Sequence, residues 1–116
     1  MAIERLEKAL KLSFENKQIS NLIRLGEALK YDGQPEEALK KFEQVIDACM
    51  SNTNSMFLDF AYQHKGKCLL ELGQMDIALD YFQEAMKLRL AKGDQSLIDS
   101  SQKAINHVKQ AIWNRS

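Results

Sequence analysis

The sequence is poor in the residues and patterns that mark several classes of protein. It has two cysteines, one proline and five glycines in 116 residues. Two cysteines are too few for a disulfide framework, and their spacing is not that of a metal site. Cys68 is predicted to be a small buried apolar residue, whereas an exposed thiol is one alternative for Cys49, which lies near a predicted helix end.

Charge and hydropathy exclude two further kinds of partner. The charges of sixteen basic and sixteen acidic residues cancel, which argues against non-specific electrostatic binding to nucleic acid. No apolar run approaches the roughly 20 residues that cross a bilayer, and the first residues lack the pattern of a signal peptide. We therefore expect a cytoplasmic protein with no nucleic-acid or membrane partner.

Catalytic motifs are missing as well. The sequence has no HExxH, no glycine-rich phosphate loop after a strand, and no nucleophile elbow. One arrangement of metal ligands remains as an alternative, in which His64 and His107 approach across neighbouring helices and bind a metal together with Glu71. The prediction is a protein that is not an enzyme and has no catalytic residue, metal or cofactor.

An internal repeat of forty residues dominates what the sequence does contain. Seven residues recur at this offset: Gly26, Leu29, Gly33, Gln34, Ala38, Leu39 and Phe42 return as Gly66, Leu69, Gly73, Gln74, Ala78, Leu79 and Phe82. The spacing predicts two antiparallel helices per copy, because small residues at Gly26 and Ala38 let two helix axes lie close together. Gly33 is predicted to end the first helix and Pro35 to begin the second.

This pattern resembles the tetratricopeptide repeat (TPR) family. The residues that carry the resemblance are Leu22, Leu25, Gly26, Leu29, Ala38 and Phe42 in the first copy and Tyr62, Gly66, Leu69, Ala78 and Phe82 in the second. The sequence departs from the family pattern in its forty-residue period, in lacking the terminal proline of each repeat, and in having Lys65 at the position of Leu25. The resemblance implies an all-α fold, a right-handed superhelix of antiparallel helix pairs with about six helices and a C-terminal capping helix.

The predicted organisation is a single domain over residues 1–116. It comprises a half-repeat helix at 2–15, a first repeat at 17–50, a second repeat at 55–91 and a capping helix at 95–114. The half-repeat helix resembles a second helix, because Ala2, Leu6 and Ala9 have the spacing of Ala78, Phe82 and Ala85. Boundaries are predicted from an N-cap at Asn16, a polar loop from Ser51 to Ser55 and a capping box from Ser96 to Asp99.

Interior positions follow from the same helical spacing. The first helix of repeat one is expected to turn Leu22, Leu25, Gly26 and Leu29 inward. Phe42 and Phe82 are expected in the core. Trp113 is expected to pack back on the second repeat, with an exposed aromatic used by a partner as the alternative.

The family resemblance implies a concave groove lined by the first helix of each repeat and by the capping helix. The corresponding positions here are Ile23, Arg24, Glu27, Lys30, Tyr31, Gln63, His64, Lys67, Leu70, Glu71, Lys103, His107 and Gln110. The predicted function is binding of a peptide or partner protein, and the two lysines and two histidines on the second and third helices favour an acidic segment. The family's carboxylate clamp for chaperone tails is not expected, because Ile23 and Glu27 occupy the places of its lysine and asparagine.

Two alternative functions remain. A second helix without a first helix leaves an apolar side open, so the segment caps the array by itself, is covered by another subunit, or belongs to a longer protein. Covering by another subunit predicts a self-assembling scaffold, a homodimer through residues 2–12. The other alternative, by analogy with long-repeat bacterial regulators, is a peptide-sensing fragment of a larger protein.

Overall fold

The computed structural model describes residues 2–51 and 55–115, which form five α-helices and no strand. The helices are α1 (Ala2–Tyr31), α2 (Pro35–Ser51), α3 (Leu58–Glu71), α4 (Met75–Lys92) and α5 (Gln95–Arg115). Each helix packs on the next, and α1 also contacts α3. Within the described ranges, no helix combines the length and apolar character of a membrane span.

The turns inside the two repeats have the same geometry. Gly33 has φ +77° and Gly73 has φ +81°, a left-handed conformation that glycine adopts without steric cost. The amide of Gln34 donates to the Leu29 carbonyl at 2.9 Å, and that of Gln74 donates to Leu69 at 2.8 Å. These are the hydrogen bonds of a Schellman motif, which satisfies carbonyls at the end of a helix. The predicted ends of both first helices are therefore confirmed.

Close approach at two glycines holds each pair of helices together. A Cβ atom at Gly26 would lie 2.6 Å from Phe42 Cζ, and one at Gly66 would lie 2.7 Å from Phe82 Cε1. Phe42 is 0% exposed and Phe82 is 1% exposed, so both rings are core residues as predicted. The rings occupy the space that a larger residue at either glycine would need.

The predicted helix at residues 2–15 is not a separate element. Residues from Ala2 to Tyr31 form one helix of 30 residues, so the number of helices is five among the described residues and not six. The segment from Ser13 to Lys17 contains no glycine or proline, and Asn16 lies inside the helix and caps no helix end. Backbone hydrogen bonding continues through this segment because nothing in its sequence opposes it.

Three interior predictions are corrected. Leu25 is 47% exposed because none of the five described helices packs on its side of α1, whereas Cys49 is only 3% exposed and lies in the core. Trp113 does not pack back on the second repeat, since it lies near the end of α5 and is 76% exposed. The alternative of an exposed tryptophan therefore describes the fold.

Two boundaries also differ from the sequence prediction. Helix α5 begins at Gln95, and the Leu97 amide donates to Asp94 Oδ1 at 3.3 Å, so the cap is Asp94 and not the predicted box at Ser96–Asp99. Helix α2 extends to Ser51, the first residue of the predicted loop. Residues 52–54 of that loop lie outside the described residues.

Candidate peptide-binding groove

Helices α1 and α3 lie side by side as the first helices of the two repeats, and two polar contacts join them. Lys30 Nζ lies 2.7 Å from Glu71 Oε1, and His64 Nε2 lies 3.0 Å from Glu27 Oε1. Helix α2 packs behind both, and the Phe42 ring stacks on the His64 imidazole with centroids 5.0 Å apart. The groove therefore has one wall from each repeat and a floor supported by the core.

A cleft of about 230 Å³ opens along this groove. Its lining residues are Glu27, Lys30, Tyr31, His64 and Lys67. A second depression of about 260 Å³ shares Glu27 and continues the groove between Arg24 and Phe60. The geometry thus offers an elongated surface with charged groups and aromatic rings at both ends.

His64 is neutral at physiological pH. Burial lowers the pKa of its imidazole to about 4, and the positive charges of Lys67, Arg89 and Lys30 act in the same direction. A neutral imidazole with its proton on Nε2 donates a hydrogen bond to the Glu27 carboxylate. The contact is therefore a hydrogen bond that orients Glu27, and His64 contributes no charge to the groove.

Lys67 is the cation in the cleft that lacks a carboxylate partner among the residues described. Burial lowers the pKa of its ammonium group, and Lys30 and Arg89 lower it further, while Glu27 opposes them. Lys30 differs, because Glu71 already neutralises it. An additional anion at the cleft would relieve the repulsion among these cations.

The predicted groove residues on α1 and α3 take different positions relative to the cleft. Five of them line the cleft together, Arg24 lines the adjoining depression, and Glu71 pairs with Lys30 above the cleft. Ile23 is 8% exposed and also lines that depression, whereas Gln63 is 2% exposed and lies in the interior. Leu70 is half-buried and packs against the second core cluster.

The predicted residues of the capping helix are exposed on α5 and line neither part of this groove. They are Lys103, His107 and Gln110. Gln110 donates a hydrogen bond to Asn114 one turn further along the same helix, at 3.1 Å. No cluster of three metal-ligating side chains is found in the part of the chain that the structure describes, so His64, His107 and Glu71 do not form the alternative metal site.

A buried polar network behind the groove was missed from the sequence. Asp59 and Arg89 form an ion pair of 3.0 Å, and both side chains are almost fully buried. Arg89 also donates to Ser101 Oγ, which donates to Gln63 Oε1 at 2.8 Å. One signal was present in the sequence: opposite charges appear in the second copy where Ile19 and Cys49 stand in the first.

The fold and the groove together define an α-helical repeat protein whose successive first helices share one surface. The family model for the tetratricopeptide repeat matches residues 17–91, well over half of the chain. The chain belongs to the tetratricopeptide repeat family, which confirms the resemblance. A search of curated proteins finds no match. Repeats of this family generally mediate protein–protein interactions and form non-catalytic modules.

Proposed function

We propose that the groove between α1 and α3 binds an extended segment of a partner protein, and that this segment carries a carboxylate. The observation that supports the acidic ligand is Lys67, a half-buried ammonium group without an ion pair inside the cleft, among the residues that the structure describes. A carboxylate from the ligand would complete a charge-assisted hydrogen bond there. Glu71 is already paired with Lys30, and the Glu27 carboxylate accepts a hydrogen bond from His64.

The aromatic residues supply the remaining contacts. Tyr31 is 93% exposed at the edge of the cleft, and Phe60 lines the adjoining depression. Exposed aromatic rings provide apolar contact area at a small cost in conformational entropy. We therefore propose a ligand with an acidic residue beside Lys67 and apolar residues on either side.

The acidic-ligand hypothesis is tested with matched peptides. Ten-residue peptides that contain Asp and Glu at central positions are compared with peptides that contain Asn and Gln there, and binding is followed by backbone amide chemical shifts. Trp113 is a poor reporter, since it is not part of the cleft. We expect Lys67→Glu to weaken the acidic peptide about 10-fold, equivalent to roughly 1.4 kcal/mol.

Lys87→Glu is the matched control, because Lys87 lies exposed on α4 and pairs with Glu84 of the same helix. It should leave affinity for the acidic peptide within about 2-fold, roughly 0.4 kcal/mol. Lys103→Glu added to Lys67→Glu tests whether α5 extends the site. Equal affinity for the acidic and amide peptides, or unchanged affinity in the double variant, would refute the acidic ligand.

A second candidate function is self-assembly through the start of α1, which we propose from the exposure of its apolar residues. Ile3 is 71% exposed, Leu6 60% and Leu10 61%. Exposed apolar side chains arranged in a stripe are typical of protein interfaces. Light scattering at high micromolar concentration tests this proposal, and the mass of a monomer would exclude it.

A further inference from the structure

One face of α1 is uncovered although the equivalent face of α3 is buried. Its residues are Gln18, Asn21, Leu25 and Ala28, and all four are exposed. Forty residues later the same positions are Leu58, Ala61, Lys65 and Cys68. Leu58, Ala61 and Cys68 lie in one core cluster with Phe42 and Val45 of α2. By comparison with α3, we expect the element that covers this face to be the second helix of a repeat, as α2 is.

The first half of α1 has the sequence of such a helix. Residues 2–14 align without a gap with residues 38–50 of α2, thirty-six positions further on. The aligned apolar positions are Ala2, Ile3, Leu6, Ala9 and Leu10 with Ala38, Leu39, Phe42, Val45 and Ile46. In α2, Ala38, Phe42 and Val45 are 0% exposed, whereas every residue from 2 to 14 is exposed. The same pattern is thus buried in one place and uncovered in the other.

The continuity of α1 prevents the segment from covering the uncovered face of its own molecule. Residues 2–14 and the face at residues 18–28 follow each other along one continuous helix. Two copies of this helix placed antiparallel would bring each segment onto the face of the other, with a two-fold axis between them. A two-fold axis closes the assembly, since each copy gives and receives the same element.

The contact between α2 and α3 supplies the register. Glu43 of α2 lies 3.8 Å from Lys65 of α3. Glu43 aligns with Glu7, thirty-six residues earlier, in the first half of α1. Lys65 aligns with Leu25, forty residues earlier, on the uncovered face. The antiparallel pair therefore places Glu7 of one copy opposite Leu25 of the other.

We infer that residues 2–14 of a second copy of this chain cover the face formed by Gln18, Asn21, Leu25 and Ala28, as α2 covers α3. This inference rests on the self-assembly proposed above and specifies its mode as an exchange of helical segments. Leu6 takes the role of Phe42, the central core residue of α2. The interface between the two copies then extends the hydrophobic core of each molecule.

Paired cysteines test the register. In Glu7→Cys/Leu25→Cys, mild oxidation should join two chains covalently, because each new thiol meets its counterpart in the other copy. Each single variant is a control, since two thiols introduced at the same position would lie about 27 Å apart along an antiparallel pair. Cys49 and Cys68 are buried, so the unchanged protein should not cross-link.

The possible outcomes separate the mode from the assembly itself. A covalent dimer from the double variant alone supports the exchange. A disulfide within one chain of monomer mass overturns it, because the segment then folds back on its own helix. A dimer by light scattering without a disulfide also overturns the exchange but leaves self-assembly standing. A monomer without a disulfide refutes both.

A charge at the centre of the exchanged segment gives an independent measurement. Leu6→Glu should raise the dissociation constant of the dimer at least about 100-fold, because the exchange buries two unpaired carboxylates. Lys8→Glu is the matched control, since it aligns with Gln44, which is exposed on α2, and should leave the dimer unchanged. Equal effects of the two substitutions would contradict the register.

Discussion

At the scale of single residues, the two repeats differ most sharply at one buried pair. The first copy has Ile19 and Cys49, both in its apolar core, and the second has Asp59 and Arg89 at the same positions. Arg89 donates further to the Leu97 carbonyl and to Ser101, so α5 satisfies the guanidinium that α3 and α4 enclose. A buried ion pair is tolerated when such hydrogen bonds offset its loss of hydration.

Replacing Asp59 leaves the buried Arg89 guanidinium without its carboxylate, whereas Asp59 in an Arg89 variant would keep its ion pair with Lys92. We expect Asp59→Ile to reduce the free energy of unfolding by about 3–5 kcal/mol. In Asp59→Ile/Arg89→Cys, which copies the apolar pair of the first repeat, most of that loss should be regained. Urea denaturation of the two single variants and the double variant measures the coupling between the sites. Additive losses would mean that the ion pair is not the source of the effect.

His64 makes the stability depend on pH. Its pKa is lowered from 6.5 to about 4 in the folded chain, so the unfolded chain binds the proton more tightly. Its contribution to stability is complete above pH 6.5 and is lost as the pH falls from 6.5 towards 4. At about pH 4.5 the expected loss is roughly 2–3 kcal/mol.

His64→Gln isolates this contribution, because glutamine retains a hydrogen-bond donor for Glu27 but does not titrate in this range. Thermal or urea unfolding at about pH 7 and about pH 4.5 should show a smaller decrease for the variant than for the unchanged protein. Carboxylates titrate in both proteins, so the comparison cancels their effect. The same decrease in both would contradict a neutral, buried imidazole.

At the scale of helices, the pairs are set by complementary small and large residues. Ala38, Phe42 and Val45 are buried in α2, and Ala78, Phe82 and Ala85 are buried at the same spacing in α4. Each phenylalanine ring fills the space beside a glycine of the preceding helix. These contacts were predictable, because the spacing of apolar residues and the positions of glycine are local properties of the sequence.

Gly26→Val tests this close approach. The new side chain would overlap the Phe42 ring, which the surrounding core holds in place, and we expect a loss of about 3 kcal/mol in the free energy of unfolding. Gly93→Val should cost less, about 1–2 kcal/mol, since Gly93 has φ +74° but no neighbouring atom within 4 Å of a new Cβ. The opposite order, measured by urea denaturation, would argue against tight packing at Gly26.

At the scale of the whole molecule, the start of α1 extends beyond the packed repeats. The described residues span 61 × 30 × 21 Å, and all residues from 2 to 14 are exposed. The groove lies between α1 and α3, whereas the uncovered face of α1 lies on the side where α2 would stand in a preceding repeat. Ligand binding and self-assembly are therefore proposed for different surfaces, and the superhelical twist inferred from the family stays a prediction.

The paired helices, the glycine turns, the phenylalanine core and membership of the tetratricopeptide repeat family could all be predicted from the amino-acid sequence. These features depend on hydrogen bonds and side-chain spacing within short segments. Such local patterns can be recognised in a single amino-acid sequence. Four features became visible only in the folded chain: α1 is continuous, Leu25 is exposed, Asp59 and Arg89 meet in the interior, and Glu27 accepts a hydrogen bond from His64. Each of these depends on which helix is present or absent beside a given face, and that is a property of packing between residues far apart in the sequence.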